Sequence, residues 1–451
     1  MTTIDRSRLA SLRQREERRF VDTHPRSAEA STTTGHLLGG VPMAWMTRWP
    51  GAFPIVVDEA SGARFRDIDG HEYIDFCLGD TGAMAGHALP AVADALGAQA
   101  RRGITTMLPS ADAAWVADEL ASRFGLPTWQ MAMTATDANR FVLRFARHLT
   151  GRSKVLVFDW CYHGTVDEAF ATLDDDGAVV ARPGTIGAPV DLDATTKVVQ
   201  FNDLDALEAA LAPRDVACVL AEPALTNIGI VLPDPGFHDA LREICDRTGT
   251  LLVIDETHTL CAGPGGATRE WGLRPDFFVI GKAIGGGMPV AAYGMSAEVA
   301  TRLAPAIGGA EVDTSGVGGT LTGNALALAA VRATLSTTLT ADDFARMIPL
   351  AAAWTDGVQA TIDATAVPWC VNQLGCRAEY WFCPPPRNGR DGAAAVDADL
   401  DAYLHLFALN RGILMTPFHN MALMSPAHSM ADVDRHSEVF AEAVTELVAP
   451  G

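Results

Sequence analysis

Four short apolar runs constrain this chain more than anything else in it: KVLVF (154–158), ACVLA (217–221), LLVID (251–255) and FFVI (277–280). Each is apolar at consecutive rather than alternate positions, so as a strand it needs cover on both faces. Between the runs the helical period takes over. Ala138, Phe141, Val142, Phe145 and Ala146 share one face over 138–146. Phe237, Leu241, Ile244 and Cys245 share another over 236–248, and Gly249 is placed to cap that helix. Doubly buried strands separated by helices define an α/β fold with a mostly parallel central sheet.

The flanking segments have a different texture. Residues 4–21 read as a charged amphipathic helix, with Ile4, Leu9, Leu12 and Phe20 loosely in period. FPIVVDEA and ARFRDIDGHEYIDF then form a β-meander around an Asp-Gly turn signal, followed by a helix at about 90–102. Beyond 330 a helix of Ala, Leu and Thr leads to 367–383, CPPPRNGRDGAAA (383–395) reads as a loop, and the last 55 residues read as a small α+β lobe. The expected division is an arm and meander over 1–75 belonging to a small lobe, a large domain over 76–330, and a C-terminal small domain over 331–451.

With 34 basic and 55 acidic side chains the net charge is −21. That argues against nucleic acid and against anionic membrane as partners, since both need clustered Lys and Arg. No run approaches the roughly 18–20 apolar residues of a membrane helix. The N-terminal stretch has no apolar signal core. The eight cysteines are scattered with no C-x-x-C pair, so neither a disulfide scaffold nor a zinc-finger spacing is present. A reduced, cytoplasmic protein is the expectation.

Ligands of α/β sheets sit beyond the carboxyl ends of the strands. Glu222 follows ACVLA, Asp255 ends LLVID, and Lys282 follows FFVI by one glycine. GKAIGGGMPVAAYG (281–294) surrounds that lysine with small residues, so a flat cofactor can come close. An ammonium packed among apolar groups is destabilised, as a Schiff-base amine requires; taken alone, a Lys after a strand is commonly a surface residue. A buried Asp255 calls for a cationic partner, and a protonated pyridine nitrogen would serve. Thr134-Ala135-Thr136-Asp137-Ala138 opens a helix whose first amides and hydroxyls suit a phosphate, or simply form a good N-cap. Gly318-Gly319-Thr320-Leu321-Thr322-Gly323-Asn324 is a second small-residue loop before a helix. His163 and His258 are acid/base candidates by type, and read rather as structural histidines.

Together these elements carry a resemblance. GHALPAV (86–92), RFARHLTGR (144–152), CYHG (161–164), AEPALTNIG (221–229), LLVIDETHT (251–259), GKAIGGGMPVAAYG (281–294) and GGTLTGNALALAA (318–330) occur in family order. From about Gly39 to Arg435 the chain resembles the class III aminotransferases of fold type I, which depend on pyridoxal 5'-phosphate (PLP), and within them the glutamate-1-semialdehyde 2,1-aminomutase and its transaminase relatives. The resemblance implies Lys282 as the Schiff-base lysine and proton shuttle, and Asp255 as partner of the pyridinium nitrogen. It further implies Tyr162 stacked on the ring, Asn227 near the phenolic oxygen, and Ala135 and Thr136 at the phosphate. Thr320 would reach the phosphate of the neighbouring subunit, which implies a homodimer.

Departures from the family pattern bear on substrate. Ala135 and Asp137 replace residues of a Ser-Gly-Thr-Glu-Ala run, bulky Trp160 precedes CYHG, and Asp80 stands where an aromatic is common. Asn420 aligns with an acidic residue of the aminomutase gate, and only a displaced Arg48 is available where the aminomutase has its carboxylate-gripping arginine. These differences favour a transaminase over the aminomutase reaction. Arg48 and Arg377 are candidate anchors for a substrate carboxylate, Arg377 having an ion pair with Glu379 as its alternative. Trp160, with Trp45 and Trp49, is a candidate pocket wall or plain core. The expected activity is transfer of an amino group from an amino acid or amine to a keto acid or aldehyde. The aminomutase, a racemase or epimerase, and a non-catalytic binding protein on the same fold stand as rivals.

Overall fold

A computed structural model of the chain describes residues 4–187, 190–307 and 315–449. It divides into two compact units: residues 1–89, 342–385 and 395–451 form the first, and 90–341 with 386–394 form the second. The boundaries expected at 75/76 and 330/331 differ from these. Phe76 stays with the first unit because its N–H bonds the Leu414 carbonyl and its own carbonyl accepts from Leu423 N–H.

The first unit opens with helices α1 (Arg6–Thr23) and α2 (Pro25–Ser31), then strands β1 (Val57–Ser61), β2 (Arg64–Asp67) and β3 (Glu72–Asp75). Asp5 caps α1 by accepting from the Ser7 and Arg8 amides, and Leu9, Glu16 and Phe20 are its buried positions. The meander's first strand is shorter than the sequence suggested. Phe53 and Ile55 pack against the cluster around Phe20 and Tyr73, but the strand itself begins only at Val57.

The second unit carries the sheet that the apolar runs demand. Its strands are β4 (Thr128–Ala132), β5 (Lys154–Phe158), β6 (Thr196–Val199), β7 (Val216–Ala221), β8 (Leu251–Asp255), β9 (Phe277–Ile280) and β10 (Ala291–Met295). They lie in the order β4-β10-β9-β8-β7-β5-β6. The pairs from β9 to β6 are parallel; β10 runs antiparallel to both its neighbours. All six residues of β7 are buried, which is why its sequence shows no alternation. At about 1.5–3 kcal/mol per large apolar side chain, burial of these central strands contributes strongly to the unit's stability.

Two helices against this sheet follow the sequence reading closely. α3 (Ala135–Thr150) is capped by the Thr134 hydroxyl, which accepts from Asp137 N–H, and ends at Gly151 in the left-handed region, φ 68°. α4 (Phe237–Thr248) ends at Gly249, φ 64°, and buries Phe237, Leu241, Ile244 and Cys245. One segment read as loop is partly helical: Gly389–Ala394 forms a short helix, started by the Asn388 side chain accepting from Asp391 N–H at 2.9 Å.

The first unit is completed by β11 (Cys370–Leu374), β12 (Arg377–Trp381), β13 (Ile413–Leu414) and β14 (Met421–Leu423), with α5 (Ala398–Leu409) and α6 (Met430–Val448). They give a sheet ordered β1-β2-β3-β13 and another ordered β11-β12-β14. Phe20, Phe65, Tyr73, Cys77, Leu406, Leu409 and Leu414 form one of its buried clusters. The eight cysteines are free thiols. No helix among the described residues is long and apolar enough to cross a membrane.

Candidate active site

The carboxyl ends of β8 and β9 meet in register, with Asp255 opposite Val279. Asp255 is 3% exposed, a position where a carboxylate is costly unless it is fully bonded. Its Oδ1 accepts from the Thr257 amide at 3.0 Å and hydroxyl at 2.6 Å. Its Oδ2 faces Asn139 Nδ2 at 2.8 Å and His163 Nδ1 at 3.0 Å. Burial would raise its pKa, but the His163 bond and charge, with Thr257 and Asn139, hold it below the ordinary carboxylate value. His163 is the reciprocal case. Burial opposes its charge, yet Cys161 and the bond to Asp255 bring it up to about 10. The strand end therefore presents a fixed anion, backed by a protonated imidazole.

Lys282 lies two residues past β9 with φ 48°, in the left-handed region that residues with a Cβ seldom occupy. Its Nζ is 2.8 Å from His258 Nε2, and His258 stands three residues after Asp255. That bond ties the lysine to the carboxylate strand. Gly281, just before it, brings bare backbone against the start of α3: a Cβ there would stand 3.2 Å from Ala135 Cβ and 3.4 Å from its nitrogen.

The amino end of α3 supplies Ala135 and Thr136, whose amides have no carbonyl inside the helix to bond. The Thr136 hydroxyl accepts from Thr165 N–H at 3.0 Å. Gly164, at φ 72°, passes so close that a Cβ would overlap that hydroxyl. The CYHG turn is thus pressed onto the helix start by a glycine.

Glu222 fastens the same CYHG turn. It accepts from Tyr162 N–H at 3.2 Å and from the Thr226 hydroxyl, and burial raises its pKa. Asn227 donates to the Trp160 carbonyl at 3.0 Å, so Tyr162 and Asn227 are held on neighbouring turns. Trp160 has φ 63° and lies under the Arg182 guanidinium, 5.4 Å from the ring centroid. Its indole is therefore partly occupied by a cation.

The second unit brings Lys282, Asp255, Ala135, Thr136, Tyr162, Asn227 and Trp160 into one linked set of turns. Thr320 is exposed, on a cavity of about 460 Å³ that Met107, Leu108, Gln130 and Asn324 also line. In the first unit, Arg48 is exposed on a cavity of about 860 Å³ with Trp49, His405 and Phe418. Trp45 is 43% exposed, its edge against Phe418. Arg377 corrects the picture of a substrate anchor. Its side chain is 0% exposed and bonds Glu379 at 3.1 Å, leaving no open guanidinium surface for a carboxylate. Asn420 is likewise committed, bonding His405 at 3.0 Å and Asp401 at 3.0 Å.

Sequence reasoning missed Asn139 as part of the site and favoured a structural role for His163 and His258, which lie in it. A polar Asn139 on the buried face of α3 was the available signal.

These features fit a PLP-binding site in its charge and in its close backbone approaches. Residues 45–376 match the aminotransferase class-III family, and the chain belongs to it. It is an enzyme of the pyridoxal-phosphate-dependent class III family with the type I fold. Among its relatives, the glutamate-1-semialdehyde 2,1-aminomutase of Sorangium cellulosum is 34% identical over 87% of this chain and 90% of the relative. A glutamate-1-semialdehyde-aminomutase structure from Pseudomonas aeruginosa PAO1, in complex with PMP, is 51% identical with a TM-score of 0.97, covering 98% of this chain and 99% of that one. The β-phenylalanine aminotransferase of Variovorax paradoxus has a TM-score of 0.86 at 27% identity, over 96% of this chain and 97% of that one. The balance of these similarities lies with the aminomutases. The departures at Asp80, Arg48 and Asn420 had pointed towards a transaminase.

Proposed function

We propose that the protein is a PLP-dependent 2,1-aminomutase of the glutamate-1-semialdehyde type, exchanging amino and carbonyl groups within one carboxylate-bearing substrate. The observation that carries this reading is the likeness, at 51% identity and over 98% of the chain, to a structure described as such an aminomutase. When bound, the cofactor supplies an electron sink for the carbon that loses its proton. Asp255, anionic and backed by His163, holds the ring nitrogen protonated. Ala135 and Thr136 would take the phosphate, Tyr162 would cover the ring face, and Asn227 would serve the phenolic oxygen. Lys282 carries the proton between substrate carbons, with His258 holding its amine in place. Thr320 completes the phosphate site from the neighbouring subunit of a homodimer, and the enzyme works in the cytoplasm. Trp160 shapes the substrate end, and Arg48 offers a carboxylate anchor.

The test is turnover of glutamate 1-semialdehyde with no keto acid present, read as 5-aminolevulinate formed. Product formation independent of any acceptor supports the mutase. A second reading, a transaminase for β- or ω-amino acids, is favoured by the match to the β-phenylalanine aminotransferase and by Asn420 at the gate position. An absolute need for a keto acid or aldehyde acceptor selects it.

A further inference from the structure

The first unit holds a cluster that amino transfer does not use. His24 sits at the junction of α1 and α2, Asp67 closes β2, and His71 precedes β3. His24 Nε2 lies 3.5 Å and His71 Nδ1 3.1 Å from Asp67 Oδ2, and the three atoms lie within 4.8 Å of one another. Nitrogen and oxygen ligands at about 2.0–2.1 Å from a tetrahedral ion stand roughly 3.3 Å apart. The two separations bracket that edge.

The atoms are also aimed. His24 Nδ1 bonds the Phe20 carbonyl at 2.8 Å, which turns Nε2 into the cluster. There the Tyr73 hydroxyl lies 2.8 Å from it and the Asp67 carboxylate 3.5 Å, so an ion would displace that hydroxyl from the imidazole. Metal-binding imidazoles usually carry such an outer bond. Asp67 Oδ1 accepts from His71 N–H at 2.8 Å, leaving Oδ2 for the cluster, where the Tyr73 hydroxyl donates at 2.8 Å. Asp67 and His24 are buried, at 1% and 2% exposure. The His71 side chain is 39% exposed and opens one side to solvent. Among the described residues the partners of Asp67 are imidazoles, a phenol and backbone amides, with no Lys or Arg in ion-pair range. A buried carboxylate without a fixed cation is costly, and a divalent ion would neutralise it.

We propose that His24, Asp67 and His71 bind one divalent transition-metal ion of the zinc type, with water from the His71 side completing its coordination. Two imidazoles and one carboxylate suit zinc or cobalt rather than magnesium or calcium. The ion would pin the junction of α1 and α2 to the β2–β3 hairpin, so its effect is structural.

The full-length protein, stripped with a chelator, is titrated with Zn²⁺ by calorimetry and with Co²⁺ by visible absorption. Spectra are taken as differences against His71→Ala in the same cofactor state. Expected are one ion per chain, at least about a tenfold loss of affinity in His71→Ala, and a zinc-dependent rise in Tm that this variant lacks. No zinc uptake by the wild type, or equal uptake by both proteins, overturns the proposal. If His71→Ala loses its circular dichroism signal, His71→Gln gives the same comparison with a polar side chain at this half-exposed position.

Discussion

Asp255 in the second unit and Glu379 in the first are both buried carboxylates kept ionised against burial, but by different partners. Glu379 is held below the ordinary value, against burial, by His419 and Arg377, with Arg377 at 3.1 Å and His419 at 3.2 Å. Asp255 has His163 as its cation and neutral Thr257 and Asn139 as its other side-chain partners. Arginine is a permanent charge with no proton to give up, so the Glu379 pair is closed on itself. Asp255 has no such permanent cation beside it: hydrogen bonds from His163, Asn139 and Thr257 fix its oxygens, and of these partners only the imidazole can carry charge. The anchor expected of Arg377 is absent for this reason: its charge is already spent inside the unit.

The sharpest way to break the contrast is to remove charge from each site. Lys282→Ala and Asp255→Asn should lower kcat on the amino-aldehyde substrate by on the order of 10²–10⁴-fold. Replacing both Arg377 and Glu379 by Met should leave kcat within a few fold. Comparable losses in both sites would dissolve the distinction. Stability should show the opposite weighting. Arg377→Met leaves Glu379 with His419 as its only ion-pair partner among the described residues and should cost about 2–4 kcal/mol in urea unfolding, of which the double replacement should recover part.

A pH series sharpens the difference further. The folded pKa of His163, about 10, exceeds its ordinary 6.5. Its stabilising contribution is therefore full below about pH 6.5 and is lost as pH rises through about 10. The Tm advantage of wild type over His163→Gln should shrink across that window. Asp255, lowered from 3.8, contributes above that pH and loses its contribution as acid takes pH down through its folded value. The Arg377 charge does not titrate in either window. A Tm advantage that stays flat from pH 6.5 to 10 would mean His163 is neutral in the fold. The smallest effect is expected at Arg48: Arg48→Ala should raise KM about two- to fivefold with kcat unchanged, as for an exposed charge.

Much of the fold was legible because its strands are buried on both faces, and a run such as VACVLA states that condition outright. The helix at Gly389–Ala394 was not. Two of its six residues are Gly, and it is started by one Asn388 side-chain bond. In the site, Lys282 and Asp255 could be read because strand ends are marked in the sequence. His163 and Asn139 stand 92 and 116 positions from Asp255, and no local pattern connects them. Arg377 was misjudged for the same reason: its neighbour Glu379 was visible, but burial of the pair depends on the rest of the unit.

The left-handed backbone at Lys282 has a consequence for how this enzyme tolerates change. A side chain with a Cβ held at φ 48° costs about 1–2 kcal/mol that glycine would not. Compared without cofactor, Lys282→Gly should therefore melt somewhat higher than Lys282→Ala, with kcat lowered as in that variant. Glycine alone would relieve this backbone, and it would do so by giving up the amine.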